Sequence, residues 1–248
     1  MRQLQKVSQQ LGVGLEVKKY TDPDSYREVT EFIQKENTSQ QVDGVLILVS
    51  PESRLFGKRQ KIMNLIVPKK DVDYLGDAYH AEYISASGGS PNQIRNDDQN
   101  IPSVCRAVLI ALKKAGEVLA FSPRDSRILV VGNRGFWGQR VERTLFCRGY
   151  KQVSGIDRET KYLTKETKKS EVIITCVGIP NLIKGEMVNK GVTLVDVGLS
   201  YAIPDCIAKV VGDVEMKSVR NKAGFITPVP GGIGPLSIAL VFKNLVYR

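Results

Sequence analysis

Glycines with the spacing GxxGxxG follow an apolar run in the second half of the chain, in the segment Gly132-Asn133-Arg134-Gly135-Phe136-Trp137-Gly138. The preceding run, residues 127–131, predicts a buried strand, and residues 139–147 predict a helix. Glycine lets the backbone approach a pyrophosphate, and a helix N-terminus offers it N–H groups and a positive potential. The segment therefore predicts a dinucleotide-binding turn held by Gly132, Asn133, Arg134, Gly135 and Gly138. An ordinary strand-to-helix turn is the alternative.

An acidic residue, Asp157, ends the next predicted strand at residues 153–156. A carboxylate at this position can accept hydrogen bonds from an adenosine ribose, which favours NAD because the 2′-phosphate of NADP would meet a like charge. Arg158 could reverse this preference by pairing with that phosphate. The predicted cofactor is therefore NAD or NADP, and a simple turn cap is the alternative role for Asp157.

Residues 227–235, TPVPGGIGP, contain three prolines and three glycines in nine positions. Such a composition forms neither a regular helix nor a central strand. It fixes an irregular backbone with little side-chain bulk, which suits a loop against which flat rings can lie. The apolar spacing of residues 236–246 predicts a helix that anchors this loop. An elaborate turn without a ligand is the alternative.

Further strands are predicted at residues 172–178 and 193–198, each stopped by glycine. With helices between them, these units predict a Rossmann-like, doubly wound parallel sheet. In the first half, helices are predicted at 4–12 and 25–37 and strands at 13–17 and 42–49, the pattern of a smaller N-terminal α/β lobe. Residues 83–99 predict a loop, and residues 104–115 predict a helix that connects the lobes. The predicted fold class is thus α/β.

Composition excludes several classes of protein. The 248 residues carry 36 Lys+Arg and 26 Asp+Glu, a formal charge of +10, but the basic residues are spread out and lack interleaved aromatic residues. We therefore expect a solvated basic surface rather than a nucleic-acid site. Four scattered cysteines and one histidine predict no metal site and a cytoplasmic location. No run approaches the ~18 apolar residues of a membrane helix, so no membrane association is expected.

The segment TPVPGGIGPLS resembles the signature of the methylenetetrahydrofolate dehydrogenase/cyclohydrolase family. Four shorter segments are similar to further segments of that family, in the same order, and so extend the resemblance over essentially the whole chain: DGVL at 43–46, KDVD at 70–73, DVGL at 196–199 and VGDV at 211–214.

The resemblance implies NAD(P)-dependent oxidation of 5,10-methylenetetrahydrofolate to the 5,10-methenyl form in one-carbon metabolism. It implies a folate-site lobe at 1–103, a dinucleotide domain at 104–227, and a loop and helix at 228–248 that return to the first lobe. A cleft between the lobes and a homodimer are also implied. Asp73 would be the catalytic and pterin-binding carboxylate, with a helix cap after Val72 as its alternative role. Leu199 would border the nicotinamide, and the folate would be held by Pro230, Gly231, Gly232 and Ile233.

The chain departs from the family pattern at several positions. Leu4 and Leu48 stand where the family has a catalytic lysine and its assisting glutamine, and Tyr74 replaces a glycine. The family's tyrosine and its first helix and strand have no counterpart, and a longer natural chain would explain that absence but not Leu48. Leucine can neither donate nor titrate, so the cyclohydrolase step is expected to be lost. The alternative is a non-catalytic, dinucleotide-binding relative that acts as a regulator or dimer partner.

Overall fold

The computed structural model describes residues 1–20, 26–50, 52–79, 100–157, 160–202 and 209–247. The predicted loop at 83–99 and the candidate Arg158 lie outside the described residues. The chain divides into two compact units: a first unit of Met1–Gly89, Asp98–Ser103 and Ile238–Arg248, and a second unit of Ser90–Asp97 and Val104–Ser237. None of the described helices is long and apolar enough to cross a bilayer.

A five-stranded parallel sheet organises the second unit. Its strands are β1 (Arg127–Val131), β2 (Gln152–Ile156), β3 (Val172–Thr175), β4 (Thr193–Asp196) and β7 (Phe225–Ile226). Their order is β2-β1-β3-β4-β7, so the chain reverses its direction of travel across the sheet between β1 and β3. This arrangement confirms the predicted Rossmann-like sheet.

The inner strands form because most of their residues are apolar and can be covered on both faces of the sheet. Every residue of β3 and β4 is buried. Leu129, Ile173 and Leu194 are at most 1% exposed and belong to one hydrophobic cluster. β2 lies at the sheet edge and is only partly buried, in keeping with the polar residues Gln152 and Ser154.

Helices and a short hairpin complete the second unit: α4 (Ser103–Leu119), α5 (Phe136–Cys147), α6 (Leu163–Lys169), α7 (Met216–Val219) and α8 (Ile233–Val246), which runs on into the first unit, with β5 (Ser200–Ala202) antiparallel to β6 (Lys209–Val211). Two helices of the second unit begin three residues earlier than predicted. α5 starts at Phe136 rather than at 139, and α8 at Ile233 rather than at 236. The reason in α8 is that a proline is tolerated in the first helical turn, where Pro235 lies.

The first unit contains α1 (Arg2–Leu11), α2 (Tyr26–Thr38) and α3 (Arg59–Met63), with 3-10 turns at Phe56–Lys58 and Pro68–Lys70. α1 ends as predicted at Gly12, whose φ of 67° is the left-handed conformation that glycine adopts without strain. One face of α2 packs into a cluster of Val29, Ile33, Val45, Leu55, Ile62 and Ile66.

The two strands predicted in the first unit are wrong. Residues 13–17 form no strand and are largely exposed, and residues 42–49 make only one bridge, from Val45 to Asp71. A strand needs neighbours for its backbone and both of its faces. Here, within the described part of the chain, Val45 N–H donates to Lys70 O at 2.7 Å, while Leu48 is 60% exposed.

Candidate functional site

Chemistry-bearing segments of the second unit collect at the carboxyl edge of its sheet. All five strands are parallel, so the segments that follow them lie along one edge: residues 132–138 after β1, 157 after β2, 176–179 after β3, 197–199 after β4 and 227–232 after β7. In open α/β sheets, ligands bind at this edge, at the point where the strand order reverses. That point lies between the ends of β1 and β3.

Gly132 brings these two strand ends together. Its φ is +88°, and its N–H donates to Ile156 O at 2.7 Å. A Cβ at this position would lie 2.8 Å from Cys176 O and 3.0 Å from a Val177 methyl. Close backbone packing therefore requires a glycine here, in addition to the room for a pyrophosphate that the sequence suggests.

Gly138 lies in the first turn of α5, where a Cβ would overlap the carbonyl group of Gly132. This contact presses the start of the helix against the turn, as the third glycine of a dinucleotide motif does. Asn133 makes hydrogen bonds through both its backbone and its side chain. Its N–H donates to Ile156 O at 3.2 Å, and its side-chain Nδ2 donates to Glu142 Oε2 at 3.4 Å. The Asn133 side chain thus supports the turn from within.

The N-terminus of α5 is shaped for an anion. Its N-cap is Gly135, in extended conformation, and no side chain caps the helix. Arg134 precedes it, with a side chain 82% exposed, and its Nε lies 3.6 Å from Asp157 Oδ2. A bare helix N-terminus next to an exposed guanidinium attracts phosphate. The glycine turn and the predicted ribose carboxylate therefore meet in one place.

Asp196 and Asp213 form a buried carboxylate pair at the same edge. Asp196 accepts hydrogen bonds from the N–H groups of Gly198, Asp213 and Val214 and from the Thr175 hydroxyl. Asp213 accepts the N–H groups of Val177 at 2.7 Å and of Gly178 and Ile179 at 2.9 Å each.

Two glycines allow these carboxylates to approach the backbone. A Cβ on Gly198 would overlap the Asp213 carboxylate, and one on Gly212 would overlap that of Asp196. Burial, reinforced by the charge of Asp196 and opposed by the N–H donors, raises the pKa of Asp213 to about 6. Burial likewise raises the pKa of Asp196. The motifs DVG and VGDV are therefore two halves of one structure, a role that the sequence did not reveal.

The proline- and glycine-rich segment begins at this pair. Thr227 N–H donates to Leu194 O at 3.0 Å, and the Thr227 hydroxyl accepts the Asp196 N–H at 2.8 Å. Beyond it, Pro230 and Gly231 are exposed, whereas Ile233 is only 5% exposed. Gly232 is half-buried, and a Cβ there would lie 2.6 Å from Pro228 O. Pro230 and Gly231 thus offer surface to a ligand, and Ile233 anchors the segment.

Leu199 follows β4 at the same edge and is 56% exposed. It precedes Ser200, the first residue of the hairpin strand β5. An exposed leucine at the carboxyl end of a central strand is available to an apolar ring.

In the first unit, Asp73 is buried and engages the start of α4. Its Oδ1 accepts the Ser103 N–H at 3.2 Å and also the Ser103 hydroxyl. A carboxylate at a helix N-terminus is stabilising, so Asp73 caps a helix that begins thirty residues later in the sequence. The sequence suggests a helix cap next to Val72, whereas the helix that Asp73 contacts begins at Ser103.

The rest of the KDVD segment is structural. Lys70 Nζ donates to Glu36 O and Ser39 O, both at 2.6 Å, near the end of α2. Asp71 accepts the N–H groups of Asp73, Leu75 and Gly76. Burial raises the pKa of Asp71, against the effect of these donors. Both side chains hold the backbone that carries Asp73.

Tyr74 has a φ of +55°, a conformation that costs a residue with a side chain about 1 kcal/mol or more. It is buried, and its ring makes an edge contact with that of Tyr79, with 4.8 Å between centroids. The backbone here keeps the conformation that suits a glycine. Ring packing offsets the strain of the tyrosine.

Leu4 and Leu48 have apolar side chains, and neither carries a group that could transfer a proton. Leu4 lies on α1 and is buried, whereas Leu48 is 60% exposed. Lys6, two positions beyond Leu4, is exposed on α1.

The chain is similar in sequence and in fold to known proteins. Residues 102–248 match the family model for the tetrahydrofolate dehydrogenase/cyclohydrolase, NAD(P)-binding domain. The bifunctional protein FolD of Moorella thermoacetica is 30% identical over 250 residues, which cover 99% of this chain and 81% of that protein. The FolD methylenetetrahydrofolate dehydrogenase/cyclohydrolase of Campylobacter jejuni superposes with a TM-score of 0.80 at 26% identity, covering 99% of this chain and 80% of that one. The Trypanosoma brucei enzyme, solved with NADP and an inhibitor, shares the fold at 22% identity and a TM-score of 0.80 over 99% of this chain and 79% of that one.

Proposed function

The chain belongs to the tetrahydrofolate dehydrogenase/cyclohydrolase family, and from that premise we propose that it oxidises 5,10-methylenetetrahydrofolate to the 5,10-methenyl form with NAD or NADP. The observation that carries this proposal is the glycine turn Gly132–Gly138, positioned where the strand order of a parallel sheet reverses. The test is to mix the protein with methylenetetrahydrofolate and each dinucleotide and to follow formation of the reduced cofactor.

The described residues of the second unit fit a dinucleotide. Gly132, Gly135 and Gly138 place no side chains in the turn, and the Asn133 side chain is bonded to Glu142. Arg134 adds a positive charge. These residues are proposed to bind the pyrophosphate. Asp157, together with Arg158, is proposed to bind the ribose end. A bound NAD or NADP would supply the hydride acceptor.

Arg134 is proposed to bind the pyrophosphate, but it also lies 3.6 Å from Asp157, so these two side chains can give opposite preferences at the ribose. The carboxylate suits the free 2′-hydroxyl of NAD, whereas the guanidinium suits the 2′-phosphate of NADP. Because the two side chains already pair with each other, either cofactor can be accepted by exchanging this contact. Asp157, Arg134 and Arg158 are therefore proposed to set the choice between NAD and NADP, and mutagenesis can separate their contributions.

Asp73 is proposed to accept hydrogen bonds from the pterin edge of the substrate. Ser103 fixes one of its oxygens, so the carboxylate has a defined orientation. The alternative is that it only caps α4. Pro230, Gly231 and Gly232 are proposed to hold folate through exposed backbone and ring surface, with Ile233 as their buried support, and Leu199 is proposed to border the nicotinamide. The role of these residues is to orient the substrate. Hydride transfer depends on how the substrate is aligned with the nicotinamide more than on a group that moves a proton.

The cyclohydrolase step is proposed to be lost. Water addition to the methenyl bridge needs a group that moves a proton, and neither Leu4 nor Leu48 can do so. Leu4 is buried, and Lys6 lies on a different part of the α1 surface, about 200° away around the helix. Methenyltetrahydrofolate should therefore leave the enzyme unhydrolysed.

A second candidate function is that of a non-catalytic, dinucleotide-binding relative. The observation that favours it is the pair of leucines, together with the strained Tyr74 next to Asp73. Binding of NAD or NADP without oxidation of methylenetetrahydrofolate would select this function over the first. A homodimer in the cytoplasm is proposed for either function, and sedimentation of the purified protein and localisation of a tagged copy would test it.

A further inference from the structure

Three successive backbone N–H groups converge on one carboxylate beside the glycine turn. Val177, Gly178 and Ile179 directly follow Cys176, whose carbonyl oxygen packs against Gly132. Their N–H groups all point to Asp213. A run of convergent N–H groups of this kind, with a left-handed residue in it, forms a concave site for an anion.

Gly178 supplies the left-handed residue. Its φ is +75°, although a Cβ there would meet only Ser200 Oγ, at 4.0 Å. The glycine is thus required by the backbone conformation and not by crowding. That conformation turns the three N–H groups inward, where the chain supplies the anion from its own residue Asp213.

Asp213 itself is held from the other side by Asp196. The Asp196 carboxylate accepts the Asp213 N–H at 3.2 Å and the Val214 N–H at 2.9 Å. Asp213 is fully buried, so its side chain has no exposed alternative orientation. The end of β4 therefore fixes Asp213, and Asp213 fixes the segment after β3.

We propose that Asp213 is a positioning residue for dinucleotide binding: its carboxylate fixes the backbone of residues 177–179 beside Gly132, and loss of its charge weakens the binding of NAD or NADP. The inference rests on the dinucleotide site proposed above and adds a residue that does not touch the ligand. Asp213 acts through the backbone of residues 177–179, which follows β3. This backbone forms one side of the position where the strand order reverses.

The charge on Asp213 is open to titration near neutral pH. Among the described residues, the titratable groups that face it are the Asp196 carboxylate and the Cys176 thiol. Burial raises the pKa of the Cys176 thiol well above its usual range, so this group stays neutral. The Asp196 carboxylate accepts the N–H groups of Gly198, Asp213 and Val214, and burial raises its pKa as well. As the pH falls through about 6, Asp213 loses its negative charge, and the hydrogen bonds that it accepts from the three N–H groups become weaker.

The test measures affinity rather than turnover. NAD is titrated into wild-type protein and Asp213→Asn by calorimetry at about pH 8 and about pH 5, because NAD lacks the 2′-phosphate that itself titrates near pH 6. We expect the variant to bind about tenfold more weakly than wild type at the higher pH, the cost of losing charge-assisted hydrogen bonds. Wild-type affinity should fall towards that of the variant at the lower pH, while that of the variant stays constant.

Asp71→Asn is the matched control. Asp71 is also a buried carboxylate that accepts several backbone N–H groups and has a pKa raised by burial, but it belongs to the first unit. A loss of NAD affinity in this variant equal to that in Asp213→Asn would reduce the effect to general destabilisation and overturn the inference. Equal affinities of wild type and Asp213→Asn at the higher pH would also overturn it.

A second measurement applies even if Asp213→Asn does not fold. In 15N-labelled wild-type protein, the amide signals of Val177, Gly178 and Ile179 should move together with one midpoint, and NAD affinity should follow the same midpoint. Affinity that stays constant through that midpoint would overturn the inference. Wild-type protein that binds neither NAD nor NADP at any pH would overturn the proposed dinucleotide site itself, a result distinct from failure of Asp213 alone.

Discussion

Arg134 Nε lies 3.6 Å from Asp157 Oδ2, at the place where the glycine turn after β1 meets the end of β2. The Arg134 side chain is 82% exposed, so this ion pair contributes little to stability and exchanges readily. Its importance is in recognition. Each partner favours a different form of the adenosine ribose.

Arg134→Ala should therefore change cofactor preference. We expect NADP affinity to fall by about fivefold relative to NAD, because the variant loses a charged hydrogen-bond donor for the 2′-phosphate. Titration with both cofactors measures the ratio. Arg127→Ala is the control, since Arg127 is a similarly exposed arginine, paired with Glu171, at the amino end of β1. If the ratio of NADP to NAD affinity were unchanged in Arg134→Ala, Arg134 would not take part in recognition of the ribose end.

Gly138→Ala should destabilise the protein by about 2 kcal/mol or more, because the new methyl group overlaps the Gly132 carbonyl. Denaturant unfolding measures the loss. Gly57→Ala serves as the control, because a Cβ at Gly57 would meet nothing within 4 Å. If both variants unfolded at the same denaturant concentration, the close packing of α5 on the turn would be refuted.

Ser103→Ala should lower the free energy of unfolding by about 1–2 kcal/mol, since the buried Asp73 carboxylate loses its hydroxyl donor. If Asp73 binds the pterin, the KM for methylenetetrahydrofolate should rise as well. Ser237→Ala, which removes only a local hydroxyl bond to Gly234 O, is the control. A normal KM with reduced stability would leave Asp73 with its capping role alone.

The stability of the protein should depend on the protonation of Asp213. Its folded-state pKa, about 6, lies above its unfolded value, so the folded protein binds a proton more readily. The contribution of Asp213 to the free energy of unfolding therefore increases as the pH falls through 6 and decreases as the pH rises. Between about pH 7 and pH 5, wild type should gain about 1 kcal/mol relative to Asp213→Asn. Unfolding curves of both proteins at each pH measure the difference, and a difference that is independent of pH would refute the raised pKa.

The sequence predicts those parts of the fold that depend on local pattern. β1, β3 and β4 are short apolar runs with punctuating residues, and α1 ends at Gly12, so each carries its own signal. The strand predicted at 42–49 is wrong because a strand depends on neighbours that a linear pattern does not contain. The family resemblance adds information that local periodicity lacks, because the main motif of the resemblance is an irregular loop with neither a helical nor a strand period.

The Asp196–Asp213 pair could not be predicted for the same reason. Each aspartate lies next to or near a glycine, Gly198 and Gly212, but the glycine serves the carboxylate of the other motif. This reciprocity exists only when β4 and the segment before α7 are side by side. Likewise, the Ser103 that holds Asp73 lies thirty residues away and carries no motif of its own.

Cofactor reduction in the presence of substrate tests the central claim most directly. Purified protein is mixed with methylenetetrahydrofolate and NAD or NADP, and both the reduced cofactor and methenyltetrahydrofolate are followed by absorbance. We predict that they form in equal amounts and that the methenyl form then decays only at its spontaneous rate. A protein that binds the dinucleotide yet forms neither product would contradict the account and identify a non-catalytic relative.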